Sequence, residues 1–167
     1  MKKIIGIVAE YNPFHNGHKY QIDKIKERYK DCLIIVVLIS IFTQRGNISI
    51  LNKWEKTTCA LNSGVNIVLE LPYIYSTQSS DIFASYAVKI LNELKIDYLC
   101  FGSEENNEEK LMKVASTQIN NKKFDHLVKE ELNKGINYPT ALNNALKELT
   151  NITITKPNDL LGVSYLK

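Results

Sequence analysis

Directly after the first apolar run of the chain comes Ala9-Glu10-Tyr11-Asn12-Pro13-Phe14-His15-Asn16-Gly17-His18, which brings two imidazoles and a glycine into one short loop. The spacing predicts a helix that starts near Gly17. Its free N–H groups and the positive end of its dipole would then face any anion held in the loop. His15 and His18 would project from one side of the first turn. Imidazole suits phosphate chemistry because its N–H groups donate to phosphoryl oxygens and share the negative charge that develops there in a transition state. Gly17 removes the side chain where a flat nucleobase or a ribose would approach the backbone. A turn-rich loop with solvated histidines is the plain alternative, and the position of the motif after a strand and before a helix argues against it. A zinc site is disfavoured, because no cysteine lies nearby and the third histidine, His126, belongs to the distant tail.

Other residues gather at the ends of later apolar runs. Gln44-Arg45-Gly46 follows the second run, and Arg45 is one of only two arginines among 21 basic residues, so its planar fork stands out as a candidate for phosphate or RNA. Phe101-Gly102-Ser103-Glu104 closes the fourth run, where the Gly102 backbone could meet adenine or ribose; the competing reading is a helix cap, with Ser103 ahead of Asn106 and Glu108. Trp54, near the start of a helix, reads as core or as a lid over the site in preference to a base-stacking platform. The cluster Glu104, Glu105, Glu108 and Glu109 reads as a solvated face at a helix N-terminus, not as a magnesium site.

These loops need a scaffold. Short β-branched runs at Lys3–Ala9, Leu33–Ile39, Val65–Leu69 and Tyr98–Phe101 alternate with helical patterns, the arrangement of βαβ units around a parallel sheet. Lys53 to Ser63 reads as a helix stopped by Gly64. Ile82, Phe83, Tyr86, Ala87, Ile90, Leu91 and Leu94 give a second helix with Ser80 or Asp81 as its cap. Beyond Gly102 the chain turns Asn- and Lys-rich, with helical spacing at Phe124, Leu127, Val128, Leu132 and at Ala141, Leu142, Ala145, Leu149. We therefore expect a Rossmann-like α/β domain over 1–102 and a helical extension over 103–167 packed on it as one structural unit, since the narrow apolar faces of the extension need a partner surface.

Composition narrows the classes. With 44% hydrophobic and 23% charged residues and a mean hydropathy of −0.19, the chain is neither disordered nor a membrane protein in type. Its longest uncharged apolar run, Cys32 to Phe42, falls short of the ~20 residues a spanning helix needs. The apolar stretch after Lys2-Lys3 is too short for a secretory leader, so a cytoplasmic protein without membrane contact is expected. Three cysteines, Cys32, Cys59 and Cys100, with no CxxC pair, read as reduced core thiols. The net charge of +3 lies entirely in 1–102, with 12 basic against 9 acidic residues, an excess too mild to establish nucleic-acid binding alone.

His15-x-Gly17-His18 after the first strand resembles the HxGH motif of the HIGH-type nucleotidyltransferase superfamily, Rossmann-like enzymes that act at the α-phosphate of ATP or CTP. The longer set, from Ala9 to His18 with Gln44-Arg45-Gly46, Lys53-Trp54, Glu70-Leu71-Pro72, Phe101-Gly102-Ser103-Glu104 and Lys156-Pro157-Asn158-Asp159-x-Leu161-Gly162, resembles the bacterial tRNA(Met) cytidine acetate ligase family over nearly the whole chain. That resemblance implies activation of acetate by ATP to acetyl-adenylate, then acetyl transfer to N4 of the wobble cytidine of elongator tRNA(Met). It implies ATP contacts at Ile7, Ala9, Glu10, Tyr11, Asn12, Pro13, Phe14, His15, Asn16, Gly17 and His18, within a loop reaching Tyr20, and at Gly102 and Asn158. His15 and His18 would be the catalytic pair, and Mg2+ would arrive with ATP instead of in a protein cage. Where the family has Ser-Gly-x-Phe before Gln-Arg-Gly, this chain has Ile39-Ser40-Ile41-Phe42. Family members run on beyond this length, so the chain is expected to be an N-terminal portion carrying the ATP-binding part, or a short relative. A generic nucleotidyltransferase acting on a phosphorylated small molecule, and a non-catalytic nucleotide- or tRNA-binding module, are the alternatives. Oligomeric state is not readable from these residues.

Overall fold

Consecutive β-branched residues bury both faces of a strand, and the chain uses two such runs as the centre of its sheet. The computed structural model describes residues 2–167, which cluster into two units, one ending at Phe101 and one spanning Gly102–Lys167. In the first unit β1 (Lys3–Ala9), α1 (Asn16–Arg28), β2 (Cys32–Ile39), α2 (Lys53–Asn62), β3 (Ile67–Leu71), α3 (Tyr73–Ser76), α4 (Ser80–Glu93) and β4 (Tyr98–Leu99) follow in order. All strand pairs are parallel and the sheet order is β3-β2-β1-β4. Ile5, Ile7, Ile34, Val36 and Leu38 form one core face with Ile22 and Ile25 of α1 and Ala60 of α2. α4 packs on the sheet as well, with Leu91 so close to Gly6 that a Cβ there would meet its Cδ1 at 2.9 Å. Between β1→β2→β3 on one side and β4 on the other, the strand order reverses beside β1. A doubly wound sheet opens its ligand crevice at such a reversal, beyond the carboxyl ends of the strands.

The Rossmann-like expectation holds, and its boundaries move for local reasons. β3 begins two residues late because Asn66 intervenes: its N–H donates to Ile34 O (2.9 Å) and its Oδ1 accepts from Ile34 N (2.8 Å), so a side chain does the work of a strand bond. β4 is shorter than the apolar run, though Cys100 N still donates to Gly6 O at 2.8 Å. α4 starts after Ser79, so neither Ser80 nor Asp81 is its N-cap. The three cysteines are free but half-buried, not core residues.

The second unit holds α5 (Glu108–Gln118), α6 (Lys122–Asn133), α7 (Tyr138–Thr150) and α8 (Pro157–Leu166), with α6 against α7 and α5 against α8. Leu111, Val114, Phe124, Val128, Ala141, Ala145, Leu146 and Val163 are buried there. The asparagine enrichment has a structural cause. Asn107, Asn121 and Asn137 are N-caps whose side chains accept from backbone N–H groups, and Asn106, Asn120 and Asn151 take positive φ where other side chains are strained.

Candidate functional site

β1 ends at Ala9, and the next residues turn sharply into α1. Tyr11 adopts φ 47, a left-handed conformation costly for a bulky residue, while its ring is 1% exposed in the core. The Asn12–Pro13 bond is cis. Burial also raises the Tyr11 phenol well above its ordinary pKa, and its hydroxyl is buried without a hydrogen-bond partner. Phe14 and His18 pack edge-on against the Tyr11 ring, at 4.9 and 4.7 Å between centroids. Ile7 is likewise core, so any ligand contact at Ile7 or Tyr11 runs through backbone.

The helix begins one residue before Gly17, and His15 is its N-cap. His15 Nδ1 accepts from Gly17 N (3.0 Å) and His18 Nδ1 accepts from His15 N (3.2 Å), a reciprocal capping box made by two histidines. The rings stack at 3.7 Å. Because each Nδ1 serves as an acceptor, these hydrogen bonds assign the neutral proton of both rings to Nε2. Two Nε2–H donors are thus preset at a helix N-terminus. Burial, with the His15 ring adding to it, lowers the His18 pKa to about 4, so His18 is neutral near pH 7. Gly17 has a local reason for its lack of a side chain: a Cβ there would lie 2.9 Å from His15 Cε1. Pro13, Asn16 and Tyr20 are exposed along the same segment.

The side chains of Glu10 and Asn12 face the neighbouring loop. Glu10 Oε1 accepts from Gln44 N (2.7 Å), and Asn12 Oδ1 accepts from Ile50 N (2.7 Å) and Ser49 Oγ (3.2 Å). Gln44 Nε2 donates onward to Gln78 O. Arg45 sits exposed in the turn closed by Gly46 N to Thr43 O, with no ion pair among the described residues. Sequence reasoning missed Lys56, which is 0% exposed and donates to Ile39 O (2.9 Å), Ser40 O (2.9 Å) and Glu10 O (3.2 Å). One ammonium therefore ties together the carboxyl ends of β1 and β2. Burial lowers its pKa, with the Glu10 charge opposing that shift. Its helical phase in α2 was visible, but lysine reads by default as surface.

In the second unit, the segment that follows Gly102 is tied to the start of α8 at Asn158 and Asp159 by a second reciprocal arrangement. Asp159 Oδ1 accepts from Ser103 Oγ (2.5 Å) and Glu104 N (3.1 Å), while the Glu104 carboxylate accepts from Asn158 N (3.2 Å) and Asp159 N (3.0 Å). Glu104 thereby caps α8, whose own N-cap residue Lys156 offers no side-chain bond. Ser103 does not cap α5, a role taken by Asn107. Asp159 is 0% exposed and its Oδ2 has no hydrogen-bond partner. A Cβ built on Gly102 meets nothing within 4 Å, so the protein itself does not demand glycine there.

Of the two roles expected for Trp54, core is excluded, because the residue is 72% exposed. Among the described residues no group of three or more His, Cys, Asp and Glu could hold a metal, and no helix is long and apolar enough to cross a membrane.

Comparison with known proteins identifies the family and the fold. The family model described as HIGH Nucleotidyl Transferase matches residues 1–167. The tRNA(Met) cytidine acetate ligase of Halalkalibacterium halodurans is 42% identical over 99% of this chain and 41% of its own length. The enzyme of that name from Mycoplasma mobile is 44% identical over 98% of this chain and 55% of its own. Among solved structures, Thermotoga maritima TmcAL bound with alpha-thio ATP superposes with a TM-score of 0.92 at 36% identity, over 98% of this chain and 42% of that one. The chain spans about half the length of these relatives.

Proposed function

This chain belongs to the HIGH Nucleotidyl Transferase family, and we propose that it is the ATP-activating part of a tRNA(Met) cytidine acetate ligase. The observation that carries the proposal is the paired-histidine cap of α1 at the carboxyl end of β1, with two Nε2–H donors fixed in place by the backbone they cap. The likeness to an ATP-analogue-bound neighbour and the names of the relatives support it.

In the proposed reaction a carboxylate oxygen of acetate attacks the α-phosphorus of ATP, the bond to the β-phosphate oxygen breaks, and pyrophosphate leaves. The amino nitrogen at C4 of cytidine then attacks the acetyl carbonyl, AMP departs and the nitrogen loses a proton. The His15 and His18 donors and the N-terminus of α1 stabilise charge on the phosphoryl oxygens during the first step. Neutral His18 suits this role, because it donates without being consumed as an acid. Ala9 to His18 would hold the nucleotide, and Gly102 and Asn158 are proposed as contacts on the family resemblance alone. Mg2+ would be carried by the phosphates and water, in keeping with its preference for few protein ligands. A cytoplasmic enzyme follows from a tRNA substrate.

The test is acetate-dependent exchange of labelled pyrophosphate into ATP, alongside calorimetric titration with ATP. Acetate-dependent exchange supports the ligase. Exchange that needs a phosphorylated acceptor instead points to another nucleotidyltransferase, and binding without exchange to a module that only holds nucleotide.

A further inference from the structure

Two cavities meet at the start of α2, and Lys53 and Trp54 line both. The larger, about 350 Å³, is walled by Ile41, Ile48, Leu51 and Trp54, with Ser49, Asn52 and Lys53 completing it. That volume falls in the ordinary range for small-ligand sites, ~300 to 1,000 Å³. Ile41, Ile48, Ile50 and Trp54 are 55%, 74%, 69% and 72% exposed, a concentration of large apolar side chains that a surface loop does not need. The loop is nonetheless held firmly. Phe42 bridges Ile48, Ser49 N donates to Ile41 O (2.7 Å), and Ile50 N donates to Asn12 Oδ1 (2.7 Å). The last bond joins this face to the segment that caps α1.

The chemistry of the lining selects the occupant. The larger cavity contains an aromatic ring and a cation and no carboxylate. Lys53 Nζ stands 5.2 Å from the Trp54 ring centroid, steadied from the smaller cavity by Glu70 at 2.7 Å, and Arg45 lies on the same loop. An exposed ring beside cations is what unpaired nucleic acid binds, the base by stacking and the backbone by charge. Sequence-specific RNA recognition in turn targets splayed bases in loops. We propose that the Trp54 face stacks an unpaired pyrimidine of the RNA acceptor and presents it to the activated acyl group. The proposal rests on the reading above for the identity of that acceptor.

Trp54 is the only tryptophan, so its emission reports this face directly. The chain is titrated with a short RNA hairpin carrying one unpaired loop cytidine, with the same hairpin made abasic at that position, and with a fully paired duplex. Quenching by the first and not by the other two is expected. By anisotropy of the labelled hairpin, Trp54→Ala should weaken binding roughly 5- to 150-fold and Trp54→Phe should restore most of it, with melting temperature and ATP affinity unchanged. Equal hairpin binding by Trp54→Ala, or none by the unsubstituted chain, overturns the proposal and leaves ATP activation standing. A Trp54 emission that shifts with protein concentration in the absence of RNA overturns it too, since the face would then be a contact between copies. RNA binding through Trp54 without any ATP binding would instead defeat the nucleotide reading alone.

Discussion

His18 is held neutral by its surroundings, and the sign of the consequence can be worked out. In the unfolded chain an imidazole takes up a proton below pH ~6.5, whereas folded His18 resists until about 4. The stability it contributes is complete above the unfolded value and is lost as pH falls through that window. Thermal melts between pH 7 and 4 should therefore fall more steeply for the unsubstituted chain than for His18→Gln, and parallel curves would contradict this. In an active enzyme His18→Ala should slow acetate-dependent exchange about 10² to 10³-fold, the scale of losing one transition-state donor. The two glycines make a contrast of the same kind. Gly17→Ala drives its methyl into the His15 ring, whereas Gly102→Ala has open space around it. Both should weaken ATP binding by calorimetry, but His15 and His18 ring resonances should move only in Gly17→Ala. Normal ATP affinity in Gly102→Ala would exclude close nucleotide approach there.

At the scale of elements, what held from sequence was what local pattern controls: the β1 and β2 runs, the strand–loop–helix setting of the histidines, and helices α6 and α7 of the second unit. What escaped depends on partners far along the chain. Nothing near Lys56 signals that the chain will bury its ammonium under three carbonyls, and the Glu104–Asp159 exchange joins residues 55 positions apart. The late start of β3 was hidden because a side-chain amide replaces a strand bond at Asn66. Lys56 yields a prediction. Lys56→Met leaves the Glu10, Ile39 and Ser40 carbonyls without their donor, at a cost of about 1 to 3 kcal/mol for such groups, partly relieved by no longer burying a charge. A melt lowered by several degrees, with a smaller drop for Lys56→Arg and ATP affinity falling alongside, is the expected result. An unchanged melt would show that the three bonds contribute nothing.

Over the whole molecule, charge is distributed unevenly: 12 basic against 9 acidic residues up to Gly102, and 9 against 9 beyond it. Electrostatic attraction of RNA to this chain is therefore modest. With about three phosphates neutralised, the logarithm of affinity should fall with the logarithm of salt at a slope near −2 for a single strand. Hairpin titrations across salt concentrations measure it, and a far steeper slope would mean that many more contacts form than the net charge suggests.

The all-parallel sheet also has a history during synthesis. β1 is paired on both sides, and one of those partners is made late: Ile5 and Gly6 pair with Tyr98 and Leu99 of β4, about 90 positions along the chain. At ~5 to 20 residues per second, translation leaves that flank of β1 without its neighbour for roughly 5 to 20 s. During that interval the nascent chain displays an open, isoleucine-rich ribbon edge, the kind of surface to which ribosome-associated chaperones and sticky neighbours bind. The strand that carries the histidine loop is thus the one whose pairing is completed last.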